Sequence, residues 1–325
     1  MLKISRTFKL MALGLAMASG LAHAQNAQSY PNRPVKIVVP FAAGGPADNY
    51  ARFMAQRLSD ELKQSFVVDN KPGAGSIIGT DFAAKSPADG YTLLMMSNAH
   101  TVNESLIPNK PFGLMKDFVG IAPVNYSNLL LVVHPSVPVK NVAELVALAK
   151  SKPGKLNYAS SGNGTPYHMA GELFKHMAGI NMTHIPYKGS SGARTDIVGG
   201  QVDVMFDAET TMAEFARNGQ VRMLGATGVT RSTNLPDVPT VAETVPKYEA
   251  TIWLGFMAPK GTPADIVTKL NAEMRKIVNN PDVKTTWAKQ GAVPMSMSVA
   301  EFDQYLNADI AKWANIVKVS GAKAD

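Results

Sequence analysis

A β-branched run, Val35–Val39, passes through Pro40, Phe41, Ala42 and Ala43 into Gly44-Gly45-Pro46-Ala47-Asp48. Tyr50, Phe53, Met54, Leu58 and Leu62 then repeat with the period of a helix face. A buried strand that turns directly into an amphipathic helix constrains the chain to α/β packing, because strand and helix must bury their apolar sides against each other. Pro46 suits the first helical position, where a missing N–H costs nothing, and Asp48 suits the positive helix start. The glycines let a ligand approach the main chain, so the turn reads either as an anion site built of backbone N–H groups or as an ordinary tight βα turn.

Lys3, Arg6 and Lys9 precede a small-residue apolar stretch over 10–22, too short to span a bilayer, and Ala22-His23-Ala24 has small-x-small spacing. We expect 1–24 to be a secretory signal peptide removed before Gln25. The chain has no Cys, so no lipidated cysteine can follow the signal and no disulfide is required in an oxidising compartment. Without those three cations, 29 Lys and Arg face 25 acids. The excess is small and carries no basic run, which argues against a nucleic-acid partner. The remaining ~300 residues suggest two domains.

Strands are expected at 66–70 and 91–96, with the glycine-rich turn 71–76 and a helix over 77–84 between them. This βαβαβ alternation predicts a parallel sheet with ligands at its carboxyl edge, where Ser97 and Asn98 lie. The pattern then recurs. A strand at 156–160 leads into Ser161-Gly162-Asn163-Gly164-Thr165-Pro166 and a helix over 167–178. Further strands are expected at 129–133, 202–206, 221–226 and 251–258, and three closing helices start near Thr262, Pro281 and Ser298. An outward crossing near 130 and a return near 252 would form a two-strand hinge. The expected division is 30–129 plus 253–325 for domain 1 and 130–252 for domain 2.

These segments together resemble the Bug family of periplasmic solute receptors of tripartite tricarboxylate transporters. The resemblance runs through 39–48, Asn70-Lys71-Pro72-Gly73-Ala74-Gly75-Ser76, 159–165, Pro186-Tyr187-Lys188-Gly189, Gly199-Gly200-Gln201-Val202-Asp203 and Leu235-Pro236-Asp237-Val238-Pro239-Thr240. It implies an α/β two-domain Venus-flytrap fold of type II periplasmic-binding-protein topology, a periplasmic location, and a carboxylate held by backbone N–H groups of loops 41–48 and 160–165. Arg194 departs from the small residue usual in the family; it either adds a cation near the cleft or covers a helix in solvent.

The candidate ligand-binding residues are therefore Phe41, Gly44, Gly45, Pro46, Ala47 and Asp48 in the first loop and Ser160, Ser161, Gly162, Asn163, Gly164 and Thr165 in the second. Ser97, Asn98, Tyr187 and Asp207 complete the set. Asp207 is the unusual member, since an anion receptor keeps a carboxylate in its cleft only to meet a ligand ammonium or to hold loop N–H groups. No catalytic residue and no cofactor is expected. His168, His176 and His184 are spaced eight apart, unlike metal-binding pairs, so no metal is expected either. The expected partners are a di- or tricarboxylate, aromatic acid or amino acid, and membrane transporter subunits; a monomer is expected. The sequence leaves two other readings open beside this receptor. One is a sensor that signals to a membrane kinase. The other is an exported hydrolase, which lacks Gly-x-Ser-x-Gly and has no assignable base beside Ser160 or Ser161.

Overall fold

The computed structural model describes residues 30–324, so the expected signal peptide and its cleavage site lie outside the described residues. Strand β1 (Val35–Val39) lies between two parallel neighbours, β2 (Phe66–Asn70) and β3 (Thr92–Ser97). Helix α1 (Pro46–Leu62) connects β1 to β2, and α2 (Ile77–Ala84) connects β2 to β3. On α1, Tyr50, Met54 and Leu58 are buried as the spacing demands.

Strand β3 runs without a loop into α3 (Asn98–Leu106), a short turn α4 (Leu114–Asp117) follows, and β4 (Phe118–Val133) then continues for 16 residues. The sequence pattern suggested only the last third of β4. Its front part is interrupted by Gly120 and Pro123, and the register with its partner shifts beside both. Such bulges break the alternation of side chains that marks a strand in sequence.

The second half begins with α5 (Val142–Ser151) and repeats the first. Strand β5 (Asn157–Ser160) is followed by α6 (Pro166–Ala178), β6 (Thr183–Pro186), α7 (Ser190–Val198) and β7 (Val204–Ala208). Helix α8 (Glu209–Arg217) and β8 (Arg222–Ala226) come next. β9 (Thr251–Pro259) then returns to the first half, and α9 (Ala264–Asn279), α10 (Pro281–Lys289), β10 (Ala292–Pro294) and α11 (Val299–Ser320) close the chain. Helix α8 was not expected; it starts at the end of β7 without a capping side chain to announce it.

Pairing gives the two halves the same plan. The first half reads β2-β1-β3-β9-β4, with β9 antiparallel to β3. The second reads β6-β5-β7-β4-β8, with the rear of β4 antiparallel to β7. Each half thus inserts one strand that arrives from the other. β4 and β9 are those strands, and their ladder ends at Asn128 opposite Thr251. Thr227 bolts the crossing together: its hydroxyl accepts from the Leu129 amide at 2.8 Å and donates to the Ala250 carbonyl at 2.5 Å. This is a mixed α/β sheet of two similar units joined by two strands.

Candidate functional site

The carboxyl ends of β1 and β5 face each other across a cleft between the units. Phe41, Gly45, Pro46, Ala47 and Ser97 line it from the first unit, and Ser161, Pro166, Tyr167 and Ser190 from the second. Ile252 and Leu254 of β9 lie along it as well. The cavity is ≈ 20 Å³, about the space of one water. No Asp, Glu, Lys, Arg or His stands among the lining residues. Charge on a guest would have to be met by main-chain N–H groups and by the neutral hydroxyls of Ser161, Tyr167 and Ser190.

Two helix starts supply that main chain. Both α1 and α6 carry proline at the first helical position, and neither receives a hydrogen bond from its own N-cap side chain. Intrahelical bonding begins at Asn49, which donates to Gly45, and at Met169, which donates to Thr165. The preceding amides, of Ala47 and Asp48 and of Tyr167 and His168, therefore have no carbonyl one turn back. Elsewhere in the chain Ser97, Asn141 and Ser298 cap their own helices. Sequence reasoning ended the second loop at Thr165 and so missed the amides of Tyr167 and His168. The proline at the first helical position, seen in both halves, was the available signal.

Several candidate residues serve the loops rather than the cleft. The Gly44 amide donates to Asp48 Oδ2 at 3.0 Å. Asp48 also accepts from Arg52 Nε and from Asn70 Nδ2 at 2.9 Å. Burial would raise its pKa, but the hydrogen bonds from Arg52, the Gly44 amide and Asn70 outweigh it and hold the carboxyl below its ordinary value. The second loop is folded on itself in the same way. Ser160 Oγ accepts from the Gly162 amide at 3.1 Å, Thr165 Oγ1 donates to the Gly162 carbonyl at 2.7 Å, and the Gly164 amide donates to His168 Nδ1 at 3.1 Å.

Ser160 does have a basic neighbour, contrary to the reading from sequence: His184 Nε2 lies 2.6 Å from its Oγ. The β5–β6 pairing creates this contact across 24 residues. Yet Ser160 is 0% exposed, so its hydroxyl is sealed from any substrate.

Ser97 faces the cleft, but its hydroxyl accepts from the Ala99 amide as a helix cap. Asn98 points to the hinge, donating to the Thr251 carbonyl at 2.9 Å. Tyr187 and Asn163 line a different cavity, and the Tyr187 hydroxyl donates to Asp196. Asp207 is wholly buried behind the cleft. It pairs with Arg194 Nη1 at 3.2 Å and accepts the Ala208 amide at 2.9 Å. Burial pushes its carboxyl up, while Arg194 and the Ala208 amide pull it back toward ionisation. Arg194 does not cover a solvent-exposed helix; it is buried beside the cleft. The Tyr167 hydroxyl makes no hydrogen bond of ordinary geometry, and burial, then the nearby Asp207 charge, hold it protonated. Among the described residues, no group of three or more His, Cys, Asp or Glu is placed to hold a metal ion.

Comparison with known proteins gives a consistent result. Residues 50–322 match the profile described as tripartite tricarboxylate transporter family receptor. Protein BugT of Bordetella pertussis is 37% identical over 98% of this chain and 99% of its own length. Among solved structures, Rpa4515 of R. palustris with adipate has a TM-score of 0.88 at 35% identity, covering 90% of this chain and 99% of that one. MatC of Rhodopseudomonas palustris with bound malate has a TM-score of 0.84 at 30% identity, covering 89% and 100%.

Proposed function

The chain belongs to the tripartite tricarboxylate transporter receptor family, and from that premise we propose that it captures a small dicarboxylate in the periplasm and delivers it to a membrane transporter. The domains are 30–129 plus 253–325 and 130–252, and residues 1–24 direct export. The ligand carboxylates are held by the uncapped starts of α1 and α6, one from each unit.

The observation that carries this reading is the pairing of two proline-started, uncapped helix N-termini across a cleft without charged lining side chains. Each start carries roughly half a positive charge, and amide-to-carboxylate bonds are stronger than neutral ones. Adipate in Rpa4515 and malate in MatC point to a linear dicarboxylate. Its two ends would engage the two helix starts as the β4 and β9 crossing bends.

Titration calorimetry with adipate, malate, succinate and their monoesters tests the proposal. We expect saturable one-to-one binding of a diacid and weakened binding of its monoester. Equal affinity for diacid and monoester, or no binding of any carboxylate, would overturn it.

A further inference from the structure

Arg194 lies on α7 of the second unit, yet its Nη2 donates to the carbonyl of Gly44 in the first, at 2.6 Å. The same guanidinium pairs with Asp207 through Nη1. Asp207 accepts further hydrogen bonds from Ala208 and Thr211, so the pair is anchored in the second unit and its charge is balanced there. Arg194 therefore acts on the cleft through the Gly44 carbonyl and not as a free cation.

The Gly44 carbonyl belongs to the same peptide unit as the Gly45 N–H. A trans peptide is planar, and its C=O and N–H point in opposite directions. Holding the carbonyl toward Arg194 thus turns the Gly45 N–H the other way, and Gly45 lines the cleft. A Gly-Gly peptide has little intrinsic preference for one orientation, since neither residue carries a Cβ. Asp48 holds the other side of Gly44 through its amide. The peptide is gripped before and behind, and one of the two grips reaches it from the opposite unit.

We propose that Arg194 is a positioning residue for ligand binding: on closure it captures the Gly44 carbonyl and fixes the Gly44–Gly45 peptide with its N–H directed to the bound carboxylate. This rests on the carboxylate reading above. It couples affinity to closure, because the Gly45 amide is set only when the second unit arrives.

The test uses Arg194→Lys, which keeps a charged donor, and the double variant Arg194→Met/Asp207→Asn, which leaves no lone buried charge. Calorimetry with adipate and malate is combined with amide exchange of Gly45 in ¹⁵N-glycine-labelled protein. Hydrogen bonds from charged groups carry enough energy for a loss of about tenfold or more in the double variant. Arg194→Lys should retain most of the affinity, and under saturating diacid the Gly45 amide should exchange faster in the double variant than in the parent. A double variant that binds both diacids like the parent, or an unchanged Gly45 exchange rate, overturns the inference. Failure of the parent itself to bind either diacid overturns the functional reading, whereas a parent that binds and a double variant that binds equally well overturn the role of Arg194 alone.

Discussion

Gly75 of the first unit and Asn163 of the second face each other so closely that a Cβ on Gly75 would collide with the Asn163 carbonyl. Gly75 also stands at φ +59°, where a side chain costs about 1–2 kcal/mol. The obstacle to Gly75→Ala is backbone, which cannot swing aside. We expect this variant to fold but to hold the units apart, weakening diacid binding at least tenfold by an order-of-magnitude estimate. Calorimetry beside small-angle scattering checks this; unchanged affinity would show that the contact is dispensable.

Asp48 braces the first loop with its carboxyl held below the ordinary value. A carboxyl with a lowered folded-state pKa contributes stability that is present above its unfolded value of 3.8 and is lost as pH falls through the folded one. Asp48→Asn should therefore cost about 1 kcal/mol at pH 7 and flatten the acid limb below about pH 4. Urea unfolding of parent and variant at several pH values measures the difference. Parallel acid limbs in the two proteins would remove Asp48 from the explanation.

His100 is buried beneath the cleft against Thr80 and Ser97, and burial lowers its pKa to about 4. His168, at the start of α6, is likewise lowered to about 4, by burial first and Lys175 second. Their stabilising contribution is complete above the unfolded value of 6.5 and is lost as pH falls toward 4. For His100 the loss is on the order of 3 kcal/mol. The melting temperature should decline steadily from pH 6.5 to 4, and less so in His100→Gln. A curve flat across this window contradicts the assignment.

Asp207 is engaged by Arg194 and not offered to the cleft. Asp207→Asn should then weaken an amino acid and a simple dicarboxylate in the same proportion, because its effect passes through Arg194. A loss selective for the amino acid would restore a direct contact with a ligand ammonium.

Ser160 ties the second loop through Gly162 and His184. Removing a buried partner costs about 1–3 kcal/mol, so Ser160→Ala should lower stability by that amount and weaken binding only modestly. Gly44→Val should nearly abolish binding. At φ +81° its strain falls on the peptide that Arg194 and Asp48 hold. The reverse order in a calorimetric series would mean that the second loop, not the first, dominates recognition.

Local chemistry was enough to place much of this molecule. The β-branched run at 35–39, the prolines at 46 and 166 and the spacing on α1 announce strand, turn and helix because each acts on its immediate neighbours. Even the resemblance between the two halves could be read from the repeated strand, small-residue loop and proline. Tertiary structure decided everything that depends on what lies opposite. The front of β4 is hidden by bulges at Gly120 and Pro123 that make sense only against β9. The roles of Asp48 and Ser160 as braces, of Asp207 as partner to Arg194, and of Tyr187 outside the cleft follow from contacts between distant segments. A sequence shows which backbone amides a helix start leaves unbonded, since that is local geometry. Which of them meet across a cleft, and which side chains turn them to face it, is fixed only when the two sheets are brought together.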